Sequence, residues 1–96
     1  MDPQFEKLAA QWRAETGGWS NARKILEHMA YRRIVAMGWA VVPSLLAELA
    51  RGDADLWGPA LREITGKDVA VAPDDIGRLD VVGKAWLALA DAEGWR

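Results

Sequence analysis

The sequence predicts an all-α fold, a compact bundle of about five helices with a HEAT-like hairpin, and three observations carry the prediction of helices. Apolar residues recur at helical spacing in five separate stretches. Glycines stand just behind those stretches, at Gly17-Gly18, Gly38, Gly52, Gly66 and Gly94, where a left-handed C-cap costs no Cβ clash. The one β-like run, Val69-Ala70-Val71, has no second strand to pair with, and a lone strand leaves its backbone groups unsatisfied. Residues 67–77 therefore read as an extended loop, pinned to the core by Val69 or Val71.

The first helix takes Asp2 as N-cap and Pro3 at its first position, where a missing N–H costs nothing. Phe5, Leu8, Ala9 and Trp12 fall on one face. The second begins at Ser20 and turns Ile25, Leu26, Met29, Ile34, Val35 and Met37 inward. Its apolar phase shifts near His28-Met29-Ala30-Tyr31, so a kink or break belongs there. The third has Pro43 in its first turn and a stripe of Val42, Leu45, Leu46 and Leu49. The fourth is capped by Asp53 or Asp55; with Asp55, Pro59 is the fourth residue of the first turn, the last whose amide lacks an intrahelical partner. Leu56, Trp57, Leu61 and Ile64 form its buried face. The fifth runs from Leu79 to Glu93, with Asp80 near its positive end and Leu79, Val82, Trp86 and Leu89 inward.

At 96 residues the chain is one domain over 1–96, large enough to form a core. A hydrophobic fraction of 51% with 27% charged residues is too apolar for a disordered chain. The absence of cysteine excludes a disulfide framework, a thiolate zinc site and a cysteine nucleophile. The amino terminus lacks a basic region followed by an apolar one, as a secretory signal requires. The apolar stretch from Ile34 to Ala50 contains Pro43, Ser44 and Glu48 and is shorter than the ~20 residues of a membrane span. A cytoplasmic protein is expected, with no membrane partner.

The block from Ile34 to Leu49, in which a glycine-ended helix passes through Val42-Pro43 into a Leu-Leu-x-x-Leu helix, resembles a HEAT-type helical hairpin. Trp57 to Gly66 looks like the start of the following repeat, although Pro59 departs from the usual pattern. The likeness covers about a third of the chain, and fewer than three repeats would fit, so a compact HEAT-like bundle is the implied form. At greater length, from Trp12 to Leu87, the chain is similar to a group of small bacterial proteins. The shared residues are Trp12, Glu15-Thr16, His28, Tyr31, Ile34, Met37-Gly38, Val42-Pro43, Trp57, Ala60 to Gly66 and Trp86-Leu87. In that group a proline follows the histidine; here Met29 stands there. The resemblance implies a bacterial origin and carries no activity with it.

His28 is the only histidine, and a metal site needs several converging donors; a structural or surface role is expected. Arg23, Lys24, Arg32 and Arg33 make the second segment basic around Tyr31. That pattern suits phosphate contact with base stacking, a solvated face with an Arg23–Glu27 pair, or a charged protein-binding rim. Residues 1–51 carry seven basic and five acidic groups, whereas 52–96 carry five and nine. Asp53, Asp55 and Asp80 are explained by helix starts, and no EF-hand spacing surrounds Asp74-Asp75. Ser20 and Ser44 sit at helix starts, and no nucleophile elbow or phosphate-binding glycine loop is present.

Six tryptophans are the least ordinary feature. Trp12, Trp57 and Trp86 fall on apolar faces and belong in the core. Trp19, Trp39 and Trp95 lie at turns or at the chain end, where an indole either closes the core edge or anchors an interface. The expected function is a small non-enzymatic protein-binding module, an adaptor or an antitoxin- or immunity-type partner of another protein encoded nearby. Its binding residues are expected to be Trp19, Tyr31, Arg32, Arg33 and Trp39, with no cofactor and no metal. The alternative is a nucleic-acid-binding protein that uses the basic second helix.

Overall fold

Six α-helices and two short 3-10 turns, with no strand, make up the described residues of the computed structural model, which are 2–51, 57–75 and 78–95. The helices are α1 (Pro3–Thr16), α2 (Ala22–Glu27), α3 (Met29–Ala36), α4 (Val42–Ala50), α5 (Gly58–Thr65) and α6 (Leu79–Glu93). The 3-10 turns are Gly38–Val41 and Pro73–Asp75. The all-α expectation holds, and the extra helix comes from division of the second segment.

That division has a local cause. His28 adopts an extended backbone (φ −58°, ψ 140°) that ends α2, and its Nδ1 accepts a hydrogen bond from the Ala30 N–H at 3.0 Å, capping α3. The phase of α3 is set by this cap, independently of α2. Met29 consequently starts a new helix on its solvent side, 60% exposed, and is not the inward residue expected. Asn21 replaces Ser20 as the cap of α2, because its side-chain oxygen reaches the Lys24 N–H at 3.2 Å. Asp2 caps α1 as expected, accepting from Gln4 and Phe5 amides.

After α3 the chain axis turns by 105° through the 3-10 turn into α4. Gly38 makes the turn with φ +65°, a left-handed conformation that a Cβ would penalise. No single described helix is long and apolar enough to cross a membrane. The bent pair of α3 with the segment Gly38–Ala50 is apolar because Ile34, Val41, Val42, Leu45 and Leu46 are core residues.

α5 begins at Gly58, so Pro59 is its second residue and not its fourth. Asp53, Asp55, Leu56 and Gly52 lie outside the described residues. Trp57 occupies the N-cap position and supplies no side-chain acceptor. The acceptor comes from another helix: the Tyr31 hydroxyl on α3 takes the buried Ala60 N–H at 3.0 Å. A helix start cannot be buried with its amides unpaired, so Tyr31 acts as the cap of α5 in space.

The core is built around four aromatic rings. Trp57 lies 5.4 Å from Phe5, 5.0 Å from Trp12 and 5.6 Å from Tyr31, the last pair stacked with an interplanar angle of 6°. Each such pair contributes about 0.5–1.5 kcal/mol beyond its burial. The Trp12 indole also donates to the Ile25 carbonyl at 2.9 Å, joining α1 to α2. α1 packs chiefly on α3 and α4 on α6, while α5 touches α3, α4 and α6. Val69 packs against the core, as the loop reading expects.

Glu48 is an apolar-stripe intruder. Its side chain is fully buried on α4, with Arg51 Nη2 at 2.7 Å and Arg13 Nη2 at 3.5 Å from Oε2. Neither contact is aligned as a hydrogen bond to the carboxylate, so the pairing is one of charge. The Arg13 guanidinium also lies 5.9 Å from the centre of the Trp57 ring, within cation–π range.

Candidate functional site

Two left-handed glycines bring two distant tryptophans together. Gly38 turns α3 toward the 3-10 turn and delivers Trp39; Gly94, at φ +76°, ends α6 and delivers Trp95. The Trp95 N–H closes on the Ala90 carbonyl at 2.8 Å, fixing the helix end by a Schellman-type bond. The rings meet edge to face, 5.3 Å apart at 78°. Trp95 is half-buried against the core, while Trp39 is 52% exposed. Beside the pair runs a groove of ≈ 300 Å³ lined by Pro43, Leu46, Ala47, Ala50 and Trp95, all apolar.

The other sequence-derived binding residues do not gather here. Trp19 is 46% exposed and packs 5.8 Å from the His28 ring. Arg32 is exposed on α3 and forms a two-pronged contact with Glu63 on α5, at 2.6 and 2.9 Å. That contact holds the Glu63 carboxyl below the usual carboxylate range and raises the Arg32 guanidinium further. Both side chains are about half exposed, so the pair adds little stability. Arg33 is exposed and makes no ion pair with a described residue.

Tyr31 is a correction. It is 1% exposed, and its hydroxyl is committed to capping α5, so it belongs to no charged rim. Burial pushes its phenol well above the usual tyrosine value, with the Ala60 hydrogen bond a smaller, opposing influence. The same burial removes the aromatic from any base-stacking surface. The basic segment is also divided between α2 and α3, with Arg23 paired to Glu27 at 3.2 Å.

His28 has a structural part to play, as expected. Nδ1 accepts from Ala30, which leaves the Nε2–H to donate to Glu15 at 3.0 Å. Among the described residues, no three His, Cys, Asp or Glu side chains converge as metal ligands would.

A second, larger groove of ≈ 420 Å³ lies between the start of α5, the extended segment after it and α6. Trp86, Arg62, Asp68 and Val71 are among the residues that line it. Sequence reasoning placed Val69 or Val71 as the anchor of the loop but did not find this groove, because it depends on which face of α6 the loop crosses. Comparison of the chain with family models, curated proteins and solved structures found no match.

Proposed function

We propose that this chain is a small protein-binding module whose docking surface is the Trp39–Trp95 pair with the adjoining α4 groove. The observation that carries the reading is Trp39 itself: a large apolar side chain, half exposed, packed edge to face against a second indole, Trp95, that lines an apolar groove. Tryptophan in such a position is a typical interface hot spot, because it buries much area and loses little side-chain freedom on docking. The partner is another protein that offers an apolar side chain or helix edge to fill the groove. An adaptor role, or an antitoxin- or immunity-type pairing with a protein encoded nearby, fits an apolar docking surface of this kind. Binding of this kind needs no catalytic residue.

Affinity capture from the native host, followed by mass spectrometry, tests the proposal. A protein retained by the wild-type chain is expected to be lost from the Trp39→Ala chain and kept by Trp19→Ala, with circular dichroism unchanged in both. Equal retention by Trp39→Ala excludes this surface.

A further inference from the structure

We propose that the groove between α5 and α6 is a binding site for an apolar carboxylate. It shares no lining residue with the Trp39–Trp95 surface and stands independently of that reading. At ≈ 420 Å³ it has the volume of a small-ligand pocket.

Three observations define what it takes. Trp86 is 2% exposed and lines the groove; its indole N–H bonds to no described residue and is not shut away in the core, so it is open to the groove. The N–H lies beside Gly58: a Cβ there would be 3.1 Å from Nε1, so the missing side chain leaves the approach to the indole open. Arg62 stands on the same wall, held only by a 3.5 Å contact to Asp68 in which both side chains are more than half exposed. An indole donor open to the groove and a lightly restrained guanidinium together suit an anionic oxygen acceptor such as a carboxylate. Val69, Val71 and Val82 supply apolar walls for the rest of the ligand. The backbone N–H groups of Ala70 and Val71 also bond to no described residue, which suits the end of a peptide chain as well as a free acid.

The test is heteronuclear NMR of the full chain, following the indole N–H signals of its six tryptophans during titration with phenylbutyrate. The Trp86 signal is expected to move, with phenylbutanol at least about tenfold weaker because it lacks the charge. Arg62→Gln weakens binding by about tenfold, and Asp68→Asn tightens it by releasing Arg62. Gly58→Ala weakens it by narrowing the approach, and needs no change to Trp86 itself. A short peptide ending in Val-Phe with a free carboxylate is run beside its amidated form. Tighter binding of the free-ended peptide than of phenylbutyrate assigns a chain end as the natural occupant; the reverse assigns a small acid. A Trp86 signal unmoved by both acids overturns the proposal, as does binding unaffected by loss of the ligand's charge or of Arg62.

Discussion

Removing one oxygen atom from Tyr31 probes the link between the aromatic core and the start of α5. Tyr31→Phe keeps the ring and its stack on Trp57 but takes away the acceptor of the buried Ala60 N–H. An amide left buried without a partner costs about 1–3 kcal/mol. At the middle of that range the melting temperature of a domain this size falls by about 8–16 °C. Urea unfolding followed by circular dichroism reads the same loss as a lower midpoint with unchanged slope. The phenol adds a pH signature. Burial raises its folded pKa above the unfolded value of about 10. Above that pH the unfolded chain gives up the proton and the folded one keeps it, so the unfolded state binds fewer protons. Stability is therefore intact below about pH 10 and falls above it, by up to about 1.4 kcal/mol per pH unit. Tyr31 is the only tyrosine, so tyrosinate absorbance reports this group alone and should appear together with unfolding. A Tyr31→Phe chain as stable as wild type at neutral pH, with the same alkaline slope, would refute the reasoning.

Three further outcomes follow from the packing. His28→Ala should cost about 0.5–2 kcal/mol through loss of the α3 cap. His28→Asn should recover most of that loss, and equal melting temperatures for the two variants would contradict the capping role. Replacing Arg13 and Arg51 together by Met leaves the buried Glu48 carboxylate unpaired and should cost about 3–5 kcal/mol. Adding Glu48→Gln to that pair should restore part of the stability, measured by urea unfolding. Trp39→Ala, at an edge position already half exposed, should change stability by less than about 1.5 kcal/mol. A larger drop in thermal midpoint would make Trp39 a core residue.

How far the fold was legible in the residues depends on how local each determinant is. Asp2 capping α1, Gly66 and Gly94 closing α5 and α6, and the buried Phe5, Trp12, Leu45 and Trp86 follow from spacing and short-range capping. The break near His28 was visible as a shift of apolar phase. Its consequence for Met29 was not, because the direction of α3 depends on a side-chain cap. Tyr31 was misplaced for a related reason. Its neighbours Arg32 and Arg33 are exposed, and only the arrival of α5 gives its hydroxyl a buried partner. The meeting of Trp39 with Trp95 spans more than half the chain, and no periodicity encodes it. Glu48 had one signal, Arg51 three residues on, while Arg13 comes from another helix.

The central claim concerns which tryptophans a partner covers. Fluorotryptophan can be incorporated at all six positions, and fluorine NMR then reads each ring while the partner identified by capture is titrated in. The Trp39 and Trp95 resonances are expected to shift to saturation, with those of the core residues Trp12 and Trp57 unmoved. A Trp39 resonance that stays in place when the partner is fully bound would contradict the proposed docking surface.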